Sequence, residues 1–325
     1  MRMIDRRSFL AGLSVGALSS AAQADAFPSK PVRIIVPYGP GGGVDIVARI
    51  LAQELTKQWK VSTYVENREG AGGLVGIAAA KSAAADGYTL LMASTGVTVL
   101  PWLQPSPPYD PARDFAAVAR ISLHPLLLIT AKDAPYASLK DLIAYTKAHP
   151  GQLNYATSGK GAASHLEIEL IKQKFGLDIT DVPYKNFAQA MADTMAGRVA
   201  FYLPGYAAGL QQVRAGNARA LATSSNKRSP LLPDVPTFAE ELAVPDYEAS
   251  ISYGILVPVQ TPDDIVGILH QQIARVAETP ELQNKVQEVG GEIAVASPVR
   301  YGREIRDDSE KWHRLVKAIG LGANQ

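Results

Sequence analysis

Two glycine-rich stretches carry the residue types most suited to chemistry. The first is Pro37-Tyr38-Gly39-Pro40-Gly41-Gly42-Gly43 and the second Thr157-Ser158-Gly159-Lys160-Gly161-Ala162-Ala163-Ser164. Each follows a β-branched run and precedes a helix-like one. Glycine admits positive φ and close approach of the backbone to a ligand. A helix start presents unpaired N–H groups at the positive end of the helix dipole. Together these features make an anion site, to which the second stretch adds hydroxyl donors. The chemistry implied is capture of a small anion. Gly41, Gly42, Ser158 and Gly159 are the candidate contacts, with Tyr38 beside them. Asp45, in the first turn of the following helix, is read first as a helix-start carboxylate and second as a ligand contact. Arg68-Glu69-Gly70-Ala71-Gly72-Gly73 either completes the site or braces the first loop, with bracing preferred. Ser94-Thr95-Gly96 is expected to be a wall of the same pocket.

Nucleotide chemistry does not fit. The first stretch lacks Gly-Lys-Ser/Thr, and its Gly39-x-Gly41 is followed by Val44 where a dinucleotide fingerprint needs glycine. In the second, Gly159-Lys160 is followed by Gly161. Catalysis finds no pattern either. The five histidines, His124, His149, His165, His270 and His313, are not paired at metal-ligand spacing, and there is no cysteine. No Gly-x-Ser-x-Gly elbow occurs. Adjacent Ser164 and His165 point in different directions on a helix, although triads assemble from distant residues. His165 is read as a helix-start residue with a secondary role at the ligand. Tyr155, Tyr184, Tyr202 and Tyr206 are read as packing, with one or two lining the cleft. No metal or cofactor is expected.

The elements that must position these loops alternate. Strands are predicted at 32–36, 62–66 and 88–93, with helices at 45–58 and 76–84, the first turning Ile46, Ile50, Leu51 and Leu55 inward. This β-α-β-α-β order implies a parallel sheet covered by helices. The grammar restarts with strands at 126–130, 153–156, 181–184, 199–203 and 218–223 and helices at 139–148, 164–175 and 187–196. The C-terminal part reads as helical, at 263–278, 280–288 and 298–319, the first started by Thr261 as cap and Pro262 at the first position. Two sheets in succession imply two lobes, and ligands in open α/β sheets sit at strand carboxyl ends, where both loops lie.

The N-terminus reads as an address. Arg2, Arg6 and Arg7 precede the apolar stretch 9–18, and Ala22-Gln23-Ala24 is a small-x-small cleavage site. Arg6-Arg7-Ser8-Phe9-Leu10 resembles a twin-arginine signal, departing from it at Asp5 and Ala11. Residues 1–24 are thus expected to be a signal peptide and the remainder a periplasmic protein. Their removal takes three arginines and one aspartate from 32 basic and 31 acidic residues, leaving 29 against 30. That balance excludes a phosphate-neutralising surface, so no nucleic-acid partner is expected. No later apolar run reaches membrane-spanning length.

Several motifs in order resemble Bug/TctC-type receptors of tripartite tricarboxylate transporters. They are Ile34-Ile35-Val36-Pro37-Tyr38-Gly39-Pro40-Gly41-Gly42-Gly43-Val44-Asp45, Val65-Glu66-Asn67-Arg68-Glu69-Gly70-Ala71-Gly72-Gly73, Asp86-Gly87-Tyr88-Thr89-Leu90-Leu91, Val182-Pro183-Tyr184-Lys185 and Leu232-Pro233-Asp234-Val235-Pro236-Thr237. The resemblance implies an α/β periplasmic-binding-protein fold (Venus flytrap, type II-like) of two lobes with a cleft between them. Residues 27–125 plus 249–325 would form one lobe and 126–248 the other. It also implies a receptor without catalytic activity, a monomer, that delivers a carboxylate ligand to membrane subunits. Carried over, the contacts are Tyr38, Gly41, Asp45, Ser94, Ser158, Gly159 and His165. The chain departs from the family pattern in having Leu100-Pro101 where Asn-Pro is frequent, Pro204 where Asp is frequent, and Ser252 where Trp is frequent. These departures imply a roomier, less polar pocket, with Pro204 on its wall, for a dicarboxylate that is aromatic, such as terephthalate. A periplasmic enzyme on this scaffold, or a ligand-sensing receptor in a signalling system, are the alternatives.

Overall fold

The computed structural model describes residues 27–157, 162–184, 187–244 and 249–321. The putting together of the first sheet begins with β1 (Val32–Val36), α1 (Gly43–Trp59), β2 (Thr63–Asn67), α2 (Leu74–Lys81), β3 (Thr89–Ser94), α3 (Gly96–Val99) and β4 (Phe115–His124). The chain then crosses to β5 (Leu127–Ala131), α4 (Leu139–Ala148), β6 (Leu153–Thr157), α5 (Ala163–Phe175), β7 (Ile179–Pro183), α6 (Phe187–Met195), β8 (Phe201–Tyr202), α7 (Tyr206–Arg214), β9 (Ala218–Thr223) and α8 (Phe238–Leu242). It returns as β10 (Ile251–Pro258), α9 (Asp263–Ala277), α10 (Pro280–Glu288), β11 (Glu292–Ala296) and α11 (Pro298–Ala318). The six-stranded sheet has the order β11-β4-β10-β3-β1-β2 and the five-stranded sheet β7-β6-β8-β5-β9. Each sheet with its helices is one lobe of the α/β fold.

β1 shows why the first sheet must be covered on both faces. Ile34 packs with Val47, Leu51 and Leu55 of α1 and Leu269 and Ile273 of α9. Its neighbour Ile35 packs on the opposite face with Ile77 of α2 and Tyr301 and Ile305 of α11. Successive strand residues alternate faces, so the unbroken apolar run Ile34-Ile35-Val36 is buried on both. The inward stripe of α1 is Val44, Val47, Ala48, Leu51 and Leu55. Ile46 and Ile50, expected inside, lie at its edge, half-buried.

Three strands were not legible. β4 pairs antiparallel with β10 and β11, and β10 antiparallel with β3, so distant C-terminal segments complete the first sheet. Gly254 breaks the apolar run of β10, and the packing requires it: a Cβ there would lie 2.6 Å from the Ala119 carbonyl oxygen and 2.6 Å from the Tyr301 ring. The start of α9 also differs. Pro262 is its N-cap and makes no side-chain cap bond, while the Thr261 hydroxyl donates to Pro258 O at 2.8 Å.

The two connections between the sheets are stitched together by Ser224, which is fully buried. Its Oγ accepts the Leu126 N–H at 2.7 Å and donates to Ala249 O at 2.9 Å. Its own N–H donates to Leu126 O at 3.0 Å. One side chain thereby couples both strands of chain that run between the lobes.

Candidate functional site

The first loop leaves the carboxyl end of β1 and enters α1 with Gly42 as N-cap. Gly41 has φ +89°, which a side chain would resist. Its N–H donates to Asp45 Oδ2 at 2.9 Å. That oxygen also accepts Arg49 Nε at 2.9 Å, and Oδ1 accepts Asn67 Nδ2 at 2.8 Å. Asn67 Nδ2 donates in addition to Tyr38 O at 3.0 Å, and Asn67 Oδ1 accepts Arg49 Nη2 at 2.7 Å. Burial alone would raise the Asp45 pKa. The hydrogen bonds from Arg49, Gly41 N–H and Asn67 outweigh it and hold the carboxyl below the usual carboxylate range.

Asp45 is therefore a brace. It is 2% exposed and its oxygens are engaged inside the loop, together with the Gly41 N–H. The helical hydrogen bonds begin with Ile46 N–H to Gly42 O. This leaves the amides of Gly43, Val44 and Asp45 without an intrahelical acceptor, at the positive end of α1. The Arg68–Gly73 loop also braces: a Cβ on Gly73 would lie 3.2 Å from the Tyr38 ring. Asn67, at the end of β2, is the residue that sequence reasoning passed over. Its signal was a polar side chain ending a strand directly before a glycine-rich loop.

Tyr38 OH and Ser94 Oγ share a hydrogen bond of 2.9 Å, which ties the first loop to the end of β3. Burial pushes the Tyr38 phenol above its usual range, the Ser94 bond opposing, so Tyr38 acts as a neutral donor or acceptor. Thr95 is buried, and its Oγ1 accepts the Ser252 N–H at 3.1 Å. Tyr38, Gly41, Gly42, Asp45, Ser94 and Thr95 thus gather at one end of the first sheet, where β1 and β3 finish.

In the second lobe, β6 ends at the buried Thr157, whose carbonyl accepts the Tyr184 N–H at 2.9 Å. Ser158 and Gly159 lie outside the described residues. α5 follows with Ala162 as N-cap. His165 in its first turn is 2% exposed, its ring 6.5 Å from that of Tyr155 and nearly parallel to it. Pro204 is buried at the carboxyl end of β8, and its carbonyl accepts the Leu127 N–H at 3.0 Å.

α5 also joins the lobes. Ile168 and Ile171 face its own core. Leu166, fully buried, packs with Val99 of α3 and with Trp312, Leu315 and Val316 of α11, and Leu170 lies against the same cluster. At its edge Lys311 Nζ stands 4.0 Å from Glu167 Oε1. The helix that begins beside the second loop is thus anchored in the first lobe by apolar contact.

Among the described residues no group of three His, Cys, Asp or Glu could hold a metal ion. His124 Nε2 lies 2.9 Å from Ser122 Oγ, and its ring centroid is 4.1 Å from that of Tyr253. Burial depresses its pKa to about 4, against the hydrogen bond to the Val289 backbone. It is a neutral core histidine at the end of β4.

The chain matches the family described as tripartite tricarboxylate transporter family receptor (TctC) over residues 47–321. The chain belongs to that family. Relatives of this TctC-family receptor include BugT of Bordetella pertussis, 34% identical over 310 residues covering 95% of each chain. Among solved structures, Rpa4515 of R. palustris with adipate is 33% identical, covers 91% of this chain and 99% of its own, and has a TM-score of 0.78. The periplasmic binding protein BugD has 30% identity, the same coverage of each chain and a TM-score of 0.75. MatC of Rhodopseudomonas palustris with bound malate has 28% identity, covers 89% and 100%, and has a TM-score of 0.74. These neighbours are solute-binding proteins, and they establish the two-lobed periplasmic-binding-protein fold expected above. No described helix is long and apolar enough to cross a membrane.

Proposed function

We propose that this receptor captures a small dicarboxylate in the periplasm and delivers it, as a monomer without catalytic activity, to the membrane subunits of a tripartite tricarboxylate transporter. The observation that carries this reading is the first loop. A closed set of hydrogen bonds among Gly41, Asp45, Arg49, Asn67 and Tyr38 holds the start of α1 open toward the strand ends. Its free amides suit one carboxylate without any arginine in contact. Adipate in Rpa4515 and malate in MatC support the ligand class.

The mechanism is a clamp. Residues 27–125 with 249–325 move as one lobe and 126–248 as the other, about the Ser224 stitch. One carboxylate meets Tyr38, Gly42 and Ser94, with Thr95 behind Ser94 and the Gly41–Asp45 brace fixing the loop. The other meets Ser158, Gly159 and His165, with Pro204 on the wall. Only closure makes both contacts, so ligand favours the closed state. An aromatic dicarboxylate such as terephthalate is the second ligand class. The test is a thermal-shift screen of the purified protein against aliphatic and aromatic mono-, di- and tricarboxylates. A ligand at a thousand times its Kd stabilises by about 4 kcal/mol, a rise of several degrees. A rise with one or more dicarboxylates is expected; the absence of any rise across the set contradicts the reading.

A further inference from the structure

On the α11 side of the six-stranded sheet lies a chamber of about 280 Å³. Six hydroxyls line it, Ser94 and Thr95 at the end of β3, Thr98 on α3, Ser250 and Ser252 at the start of β10 and Tyr301 on α11, beside apolar wall from Val97, Leu123, Leu256 and Ile305. Ser94 belongs to the candidate site as well, through its bond to Tyr38, so chamber and cleft share a side chain.

The hydroxyls are held in place and still have capacity to spare. Thr98 Oγ1 donates to Thr95 O at 2.8 Å, Thr95 Oγ1 accepts the Ser252 N–H at 3.1 Å, and the Tyr301 phenol bonds the Ser252 side chain. A hydroxyl donates once and accepts twice, so each of these groups can take a further partner.

The charges at the chamber argue against a second carboxylate there. Glu304 accepts Arg300 Nε at 3.0 Å and lies 3.5 Å from Arg120 Nη1, so one acid serves both arginines. Arg120 Nε is also committed, to Ala294 O at 3.1 Å. Asp307 and Asp308 line the same space and add two more acids. An anionic group would meet more negative charge than positive, whereas an uncharged hydroxyl finds donors and acceptors among the six lining hydroxyls. An aromatic ring would strip water from hydroxyls and return no hydrogen bond.

We propose that this chamber is a specificity subsite for ligand hydroxyl groups, so that the receptor selects a polyhydroxylated aliphatic dicarboxylate over its unsubstituted or aromatic counterparts. The inference rests on the dicarboxylate reading above and names its substrate class. The carboxylates remain at the two loops, and the hydroxyls of the chain between them turn into the chamber.

Adipate and galactarate form the matched pair of probes: the same six-carbon diacid, without and with four hydroxyls. Calorimetric titration of the purified protein should give galactarate a Kd about tenfold or more below that of adipate, the effect of one or two neutral hydrogen bonds. Ser252→Trp fills the chamber and should erase the difference between the two diacids. Ser252→Ala deletes the hydroxyl and adds no bulk. It should weaken galactarate alone, which guards against a tryptophan variant that fails to fold. If adipate or terephthalate binds the unaltered protein as tightly as galactarate, or if the Ser252 variants shift adipate and galactarate alike, the chamber proposal is overturned while the dicarboxylate reading stands. If neither diacid nor terephthalate binds the unaltered protein, the chamber proposal falls, while the dicarboxylate reading falls only if the whole carboxylate screen is silent.

Discussion

The two sides of the cleft are held by different physics. On the first lobe, the loop after β1 is fixed by short polar contacts that close on themselves: Gly41 to Asp45, Asp45 to Arg49 and Asn67, Asn67 to the Tyr38 carbonyl. On the second lobe, α5 is fixed by apolar contact, with Leu166 and Leu170 set among Val99, Trp312 and Leu315 of the other lobe. Hydrogen bonds have direction and define one loop geometry. Apolar contact is non-directional and tolerates sliding. In the clamp proposed above, this contrast would make the first loop the rigid side and α5 the adjustable one.

The sharpest way to break this contrast is Leu166→Ala. A fully buried leucine in a packed cluster costs about 2–5 kcal/mol when truncated. Here the loss should fall on the contact between lobes as well as on global stability. Trp312 and Trp102 sit in or against that cluster, so their fluorescence should shift to the red in the variant. A variant with lowered melting temperature and unchanged emission would mean that Leu166 serves the core of its own lobe only.

A second effect, about 3 kcal/mol at most, belongs to His124 in the first lobe. Its folded pKa is about 4 against a usual 6.5. The unfolded chain therefore takes up a proton as pH falls through 6.5 while the folded chain does not. Stability from this group is complete above about pH 6.5, declines as pH falls from there toward 4, and is level below. Replacing it, His124→Gln, should flatten the stability profile across that window, measured by urea unfolding at a series of pH values. An unchanged slope would place the titration elsewhere.

The smallest effect on stability, about 1–3 kcal/mol, is expected from Asn67→Ala, which removes the donor to Asp45 and Tyr38. Its effect on ligand binding should be larger than its effect on melting, because the loop loses its geometry while the sheet beneath survives. Equal affinity in Asn67→Ala and the unaltered protein would show that the polar ring does not position the amides. The same carboxylate network has its own pH signature. The Asp45 pKa is lowered on folding, so its contribution is present above the unfolded pKa and lost as pH falls through the folded one.

Much of this architecture could be read from local pattern. The limits of α4, β9 and α10 follow directly from the chain, and Ser138 and Thr279 cap the two helices by accepting the Asp141 and Leu282 amides. Such elements are decided by residues within one or two turns. β4, β10 and β11 were missed because their partners lie far along the chain, and because Gly254 reads as a break until Ala119 and Tyr301 are brought against it. The first loop was visible as a glycine pattern. Its brace was not, since Arg49 and Asn67 meet only after α1 folds back beside β2. Ser252 lines the chamber, but much of the remaining hydroxyl and carboxylate lining comes from α3 and α11, which no local pattern joins to it.

The central claim is a clamp that needs a carboxylate at each end. The most direct test is calorimetric titration of the purified protein with the tightest-binding diacid from the thermal-shift screen and with its half-amide, which keeps the shape but removes one charge and turns one acceptor oxygen into an NH2 donor. The account predicts a Kd at least about tenfold weaker for the half-amide, since a charge-assisted hydrogen bond is roughly twice as strong as a neutral one. Equal affinity for the two would contradict it.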